Sequence, residues 1–269
     1  APPATFPDGK LLRECDVTVS LDWGDTAGTL KAAWGEETIG AKVIRISPDA
    51  HIHRGWSSDY QGLPPSDVYL MCEPDAVVPL LLDQVRARPA AVASRHETKS
   101  DLKDEAVTIR ALARVFNELT QGMDVCLSKL PLGWNGAYRH FRHPLDYLGA
   151  DGGVGVGAGP GLTVGAALAL IGSGRMVVGI VGDGDFLMGN TALWTATHYR
   201  LPCLFLVANN RSFYNDELHQ ERVAKERGRP VENKWIGQRI DEPDIDIAMM
   251  ARAQGAEGIG PVRKLEDRR

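Results

Sequence analysis

Residues 176–185 read MVVGIVGDGD, and residues 202–210 read PCLFLVANN. Each stretch opens on a short apolar run, which predicts strands at Met176–Val181 and Pro202–Ala208. The residues between them predict a helix at Asn190–Tyr199. A strand–helix–strand unit of this kind predicts two neighbouring parallel strands whose carboxyl ends lie at the same edge of a sheet.

Asp183 and Asn210 follow those two strands. In an open α/β sheet, ligands bind in the crevice outside the carboxyl ends of the strands. A carboxylate and an amide oxygen are hard ligands of the kind that Mg²⁺ prefers, often while it bridges to phosphate. Asp and Asn beside glycine are also common turn and cap residues, so each motif alone is weak evidence. Their joint spacing across one crossover favours a metal–diphosphate site, with glycines 182 and 184 letting the backbone turn sharply towards an anion.

The rest of the chain extends the α/β pattern in both directions. The predicted helices are Ala27–Trp34, Asp75–Val85 with Asp75 as N-cap, 105–119 with Leu112, Val115, Phe116 and Leu119 on one face, the small-residue helix Thr163–Ile171, and Asp244–Gln254 with Asp244 as N-cap. The further predicted strands are Asp16–Leu21, Ala41–Ile46 and Asp124–Leu127. Strands alternating with helices indicate parallel sheets covered by helices on both faces.

A polar, charged stretch divides the chain into two such domains. We expect a partial, Rossmann-like domain at 1–88, a linker at 89–104 and a second domain at 105–269 that lacks its C-terminal element. The predicted fold class is α/β, with two doubly wound parallel-sheet domains of which the first is truncated.

Composition excludes several function classes. The 269 residues carry a net charge of −5, which argues against nucleic-acid and anionic-membrane partners because these need a basic footprint. The longest apolar runs are far shorter than the roughly 20 residues of a membrane span. The four cysteines, at 15, 72, 126 and 203, do not form a disulfide framework, and we expect a cytoplasmic location.

These motifs resemble those of the thiamine-diphosphate-dependent enzymes of the acetolactate synthase, pyruvate oxidase and benzoylformate decarboxylase superfamily. The resemblance rests on Gly182-Asp183-Gly184 with Asn209-Asn210, on ALWTATHYRLP at 192–202, and on GVGAGPG at 155–161 running into VGAALA at 164–169. It covers about 105–260, and more weakly 1–85, which is similar to the second half of the family's middle domain. It implies thiamine diphosphate and Mg²⁺ as cofactors and decarboxylation or carboligation of 2-oxo acids, in the manner of acetolactate synthase.

The resemblance also implies roles for individual residues. Asp183, the Asn210 side chain and the Ser212 backbone carbonyl would bind Mg²⁺. The Gly182–Asp185 turn would hold the diphosphate through the N–H groups of Gly184 and Asp185. The Val154 carbonyl and the Val156 N–H would contact the aminopyrimidine, and the Val156 side chain would support the bent cofactor. The expected substrate-pocket residues are Phe213, Tyr214 and His219.

Other features of the family have no counterpart in these residues. The glutamate that activates the pyrimidine cannot be assigned to this chain, so we expect the chain alone to be inactive. We expect either that these residues are a fragment of a chain of about twice the length or that a partner polypeptide carries the pyrimidine-binding domain. The expected assembly is a homo-oligomer or a complex with that partner chain. Part of the family also binds FAD. The sequence does not decide whether this chain does, because only half of the middle domain is present.

Two other interpretations remain open. Residues 153–158 (GVGVGA) fit the GxGxxA fingerprint of a nicotinamide dehydrogenase, with Asp183 as the ribose-binding acid. That fingerprint is weak in so glycine-rich a stretch, and it leaves Asn209 and Asn210 unexplained. The chain could also be a non-catalytic subunit of a split enzyme.

Overall fold

The computed structural model describes residues 10–49, 62–84, 107–149 and 155–264. These residues form two compact units, residues 10–49 with 62–84 and residues 107–149 with 155–264. The predicted linker at 89–104 lies outside the described residues.

The first unit is a three-stranded parallel sheet with helices. In chain order its elements are α1 Lys10–Glu14, β1 Val17–Leu21, α2 Thr26–Trp34, β2 Lys42–Ile46, β3 Val68–Leu70 and α3 Pro74–Gln84. The strand order is β1-β2-β3, and Leu21, Ile46 and Leu70 lie side by side at the carboxyl ends. Leu30, Trp34 and Val43 form the core that joins α2 to the sheet.

The second unit is also a three-stranded parallel sheet, in the order β4-β5-β6. Its elements are α4 Ile109–Leu119, β4 Val125–Lys129, α5 Ala158–Ala169, β5 Met176–Gly182, α6 Asp183–Gly189, α7 Ala192–His198, β6 Cys203–Ala208, α8 Tyr214–Glu226 and α9 Ile247–Ala253. Two single 3-10 turns, Gly136–Tyr138 and Pro144–Asp146, lie between β4 and α5. The central strand β5 is the most deeply buried because α5 packs on it and strands flank it on both sides.

The predicted α/β class with parallel sheets is confirmed. The strand β3 has no counterpart among the predicted elements. Several boundaries also differ from prediction. α3 begins at Pro74, which places Asp75 in its first turn and not at its N-cap. The N-cap of α9 is Asp246, whose side chain accepts from the Met249 N–H, and not Asp244.

Two further differences concern the second unit. α5 begins at Ala158 and not at Thr163, because Gly157 supplies a left-handed N-cap with φ 98°. Of the four apolar residues predicted to share one face of α4, Phe116 is buried, but Leu119, the last helical residue, is 76% exposed. No helix in the described part of the chain is both long and apolar enough to cross a membrane.

Candidate functional site

Asp183 lies at the point where β5 passes directly into α6. Its side chain is buried, with the residue only 2% exposed, and its Oδ2 accepts a hydrogen bond from the Ser212 N–H at 3.2 Å. Burial raises the pKa of this carboxyl above its ordinary value, although backbone N–H groups, including that of Ser212, oppose the shift. A cation close to a desolvated carboxylate stabilises its charged form.

Asn210 follows β6, the strand paired in parallel with β5. The register aligns Gly182 with Ala208, so the carboxyl ends of the two strands are adjacent. The Oδ1 of Asn210 accepts a hydrogen bond from the Ser212 N–H at 3.0 Å. One backbone N–H therefore joins the side chains of Asp183 and Asn210, and the structure brings the three predicted metal-binding residues together.

This donor set fits Mg²⁺. It offers a buried carboxylate and an amide oxygen, to which the resemblance adds the Ser212 backbone carbonyl, and all three are hard oxygens of the type that Mg²⁺ takes alongside water and phosphate. No group of three or more His, Cys, Asp or Glu side chains able to hold a metal occurs among the residues that the structure describes. A metal at this edge of the sheet would thus rely on amide and carbonyl oxygens beside one carboxylate.

The two glycines around Asp183 do not form the sharp backbone turn that the sequence predicts. Neither Gly182 nor Gly184 has a positive φ, so no sharp turn demands them. A Cβ on Gly184 would lie 2.3 Å from the Phe213 ring, whereas a Cβ on Gly182 would meet no atom within 4 Å. Gly184 thus makes room for an aromatic ring, and the open space beside Gly182 lies where a diphosphate is expected.

Asp185 connects this turn to the glycine-rich loop. Its Oδ1 accepts hydrogen bonds from the N–H groups of Gly157 at 2.6 Å and Gly159 at 3.2 Å. The side chain therefore holds the start of α5, while the contact predicted with diphosphate concerns the backbone N–H of Asp185. Val156, next to this anchor, is 56% exposed, and Val154 lies outside the described residues.

The three predicted substrate-pocket residues lie on or next to the first two turns of α8. Phe213, the N-cap, is half-buried against Gly184. Tyr214 and His219 are exposed. The structure therefore brings Phe213 to the site, while Tyr214 and His219 lie on the surface of the helix.

Sequence reasoning missed Glu217. The charged stretch 211–229 predicts a solvated helix with i,i+4 ion pairs, and α8 does contain the pair Glu221–Lys225. Glu217, however, is 2% exposed and accepts a hydrogen bond from the Ser212 hydroxyl. No local pattern distinguishes it from the exposed acids around it.

Comparison with known proteins assigns this half of the chain. Residues 132–268, just over half of the chain, match the family described as "Thiamine pyrophosphate enzyme, C-terminal TPP binding domain". A benzoylformate decarboxylase of Pseudomonas aeruginosa is 34% identical over 118 residues, which cover 44% of this chain and 20% of that enzyme. These matches favour the thiamine interpretation over the dehydrogenase alternative.

Solved structures share the fold. A thiamine diphosphate-dependent 4-hydroxybenzoylformate decarboxylase of Rhodococcus jostii RHA1 superposes with a TM-score of 0.69 at 18% identity, covering 99% of this chain and 47% of its own. A protein of Mycobacterium smegmatis described as a thiamin diphosphate-dependent enzyme gives a TM-score of 0.57 at 21% identity, over 81% of this chain and 38% of its own. The chain thus spans less than half the length of either structure.

Proposed function

The chain belongs to the thiamine pyrophosphate enzymes, whose C-terminal TPP-binding domain it carries, and from that premise we propose that it is the diphosphate- and Mg²⁺-binding part of a 2-oxo acid decarboxylase. Benzoylformate and related aromatic 2-oxo acids are the first substrates to test, because benzoylformate decarboxylase is among its relatives. Carboligation of the acetolactate synthase type is a second reaction open to the same cofactor.

One observation carries the proposal. The Ser212 N–H contacts both Oδ2 of Asp183 and Oδ1 of Asn210, which gathers hard oxygen ligands at the carboxyl edge of a parallel sheet. Ligands bind at that edge in open α/β folds. Burial raises the pKa of the Asp183 carboxyl, and a divalent cation beside it would stabilise its charged form.

Each residue then has a defined part. Asp183, Asn210 and the Ser212 carbonyl hold Mg²⁺, and Gly182, Gly184 and Asp185 line the diphosphate. The Val156 side chain would support the cofactor from the loop that Asp185 anchors. By the resemblance, the Val156 N–H and the carbonyl of Val154, which lies outside the described residues, would contact its aminopyrimidine. When bound, thiamine diphosphate supplies carbanion stabilisation for the loss of CO₂ from a 2-oxo acid, while the protein supplies orientation and electrostatics.

The proposal includes a second polypeptide segment. The pyrimidine-binding domain, with its activating glutamate, belongs to a further part of a longer chain or to a partner polypeptide, and residues 1–269 alone turn over no 2-oxo acid. Acid–base assistance of this kind is typically worth ~10²–10⁴-fold in rate.

All four cysteines are free thiols, which is compatible with the cytoplasmic location expected from the sequence.

Calorimetry tests the binding part of the proposal. Titration of the 269-residue chain with thiamine diphosphate should give binding that requires Mg²⁺, and NAD should give none. Binding of NAD without binding of thiamine diphosphate would replace this proposal with the dehydrogenase alternative.

An activity assay tests the catalytic part. CO₂ release from benzoylformate, 4-hydroxybenzoylformate and pyruvate should appear only after a pyrimidine-binding polypeptide is added. Turnover by the chain alone would show that the activating base lies within it. A complemented, cofactor-loaded complex without turnover would favour the non-catalytic subunit.

A further inference from the structure

Glu217 is a buried carboxylate that the proposed cofactor site does not use directly. It lies in the first turn of α8, and its side chain is only 3% exposed. A charge removed from water is costly unless it is paired and hydrogen-bonded. The partners of Glu217 therefore indicate what it does.

Two groups contact the same oxygen of Glu217. The Ser212 hydroxyl donates to Oε1, and Nε of Arg239 lies 3.2 Å from it. The Arg239 side chain is 48% exposed, whereas Ser212 is buried. The contacts thus run from a guanidinium at the surface, through the buried carboxylate, to the loop after β6.

The same loop also pairs with residues 238–240. The Phe213 N–H donates to the Gln238 carbonyl at 2.9 Å, and the Ile240 N–H donates to the Arg211 carbonyl at 2.9 Å. Ser212 and Arg239 form an antiparallel bridge between these two segments. The loop is therefore held by a short β-type pairing of its backbone and by the hydrogen bond between the Ser212 hydroxyl and the Glu217 carboxylate.

Ser212 connects the three proposed metal ligands. Its N–H contacts the Asp183 and Asn210 side chains at 3.2 Å and 3.0 Å, and its carbonyl is the third proposed ligand. Mg²⁺ demands nearly octahedral geometry at roughly 2.0–2.1 Å, so small shifts of Ser212 would disturb all three ligands. Groups that orient metal ligands contribute strongly to affinity.

We propose that Glu217 is a positioning residue for the Mg²⁺ site: by accepting the Ser212 hydroxyl hydrogen bond while paired with Arg239, it holds the loop in the conformation that binds the metal. This inference rests on the proposed function. It assigns Glu217 no contact with metal, cofactor or substrate, and its effect reaches the metal through Ser212.

Three variants of the 269-residue chain test this role. Glu217→Ala removes the acceptor, Glu217→Gln keeps a neutral acceptor oxygen, and Ser212→Ala removes the hydroxyl while it keeps the backbone carbonyl. The readout is the Mg²⁺ concentration that half-saturates thiamine diphosphate binding, measured by calorimetry. Thermal unfolding without metal reports the stability of each variant separately.

Glu217→Ala and Ser212→Ala should each raise the half-saturating Mg²⁺ concentration about 10- to 100-fold. The loss in the double variant should be clearly smaller than the sum of the two single losses, because both changes break the Ser212–Glu217 hydrogen bond. Each change also removes one further contact, that of the Ser212 hydroxyl with the Gln238 carbonyl at 3.3 Å or that of Glu217 with Arg239. Glu217→Gln should recover most of the affinity even if it unfolds at a lower temperature. That rescue separates positioning of the loop from general stability.

Glu221→Ala is the matched control. Glu221 lies one turn further along α8 and pairs with Lys225 and Lys234, but it does not contact Ser212. Its loss should leave the Mg²⁺ dependence within about twofold, because neither of its two ion pairs reaches the loop after β6. An equal loss in Glu221→Ala would show that helix stability alone is responsible, and would overturn the inference.

The outcomes separate this inference from the proposed function. A parent chain that binds no thiamine diphosphate with Mg²⁺ refutes the proposed function. A parent that binds it, with Glu217→Ala unchanged, refutes only the role of Glu217. If Glu217→Ala does not fold, Ser212→Ala decides, because an unchanged Mg²⁺ dependence in that variant would also refute the role.

Discussion

The carboxylate of Asp185 accepts a hydrogen bond from the backbone N–H of Gly157 at 2.6 Å. The two residues belong to different glycine-rich motifs, one after β5 and one before α5. The same Oδ1 also accepts from Gly159 at 3.2 Å. Asp185 thereby ties the loop that contains Val156 to the turn that contains Asp183.

Replacing this carboxylate should loosen the loop. Asp185→Ala removes two charge-assisted hydrogen bonds and should lower the free energy of unfolding by about 1.5–3 kcal/mol. Asp185→Asn keeps an acceptor oxygen and should lose less. Urea unfolding gives both values, and amide hydrogen exchange of Gly157 and Gly159 should quicken in Asp185→Ala. Unchanged exchange at those two amides would mean that the contact does not order the loop.

The proposed metal ligands should contribute unequally to Mg²⁺-dependent binding of thiamine diphosphate. Asp183→Ala removes the charged ligand and should abolish Mg²⁺-dependent thiamine diphosphate binding, whereas Asn210→Ala removes a neutral ligand and should weaken it less. Calorimetry measures both, and circular dichroism checks that the fold is retained. Binding like that of the parent chain in both variants would place the metal elsewhere.

The two glycines beside Asp183 should respond oppositely to alanine. In Gly184→Ala the new methyl group would lie 2.3 Å from Cε1 of Phe213, so overpacking should cost about 1–3 kcal/mol of stability. In Gly182→Ala the methyl group meets no atom within 4 Å, so the chain should stay as stable while its affinity for thiamine diphosphate falls. Urea unfolding and calorimetry separate the two effects. Equal affinity in Gly182→Ala and the parent chain would show that the open space does not receive the diphosphate.

Asp146 should make stability depend on acid pH. The backbone N–H of Arg142, followed by the Arg175 side chain and the His143 N–H, lowers the pKa of its carboxyl from 3.8 to about 2. A lowered pKa in the folded state stabilises the protein above the unfolded pKa near 4, and that contribution is lost as the pH falls towards 2. A shift of nearly two pKa units corresponds to about 2.5 kcal/mol, and screening by solvent at this partly exposed carboxyl reduces that contribution.

Asp146→Asn should therefore unfold about 1–2 kcal/mol more easily at pH 7, and its stability should vary less between pH 4 and pH 2. Urea unfolding across that range measures the difference. Glu118→Gln is the control, because Glu118 is 57% exposed and lies 3.8 Å from Arg114. A pH profile of Asp146→Asn parallel to that of the parent would contradict the assignment.

The sequence by itself determined the fold class and the meeting of two strand ends. The apolar runs before Asp183 and Asn210 are local signals, and a helix between two strands allows few topologies. The predicted strands match β5 and β6 to within one residue. Because parallel neighbours place their carboxyl ends at one edge, the adjacency of Asp183 and Asn210 followed from this pattern.

The tertiary structure alone decided how that edge is held together. Glu217 has the same local surroundings as the exposed acids of α8, yet it is buried because Ser212 and Arg239 converge on it from distant positions. Asp185 likewise turns to the start of α5 because Gly157 and Gly159 present free N–H groups there. Periodicity records which face of an element is apolar, but a buried polar group takes its partner from whichever segment packs beside it, and only the folded chain fixes that choice.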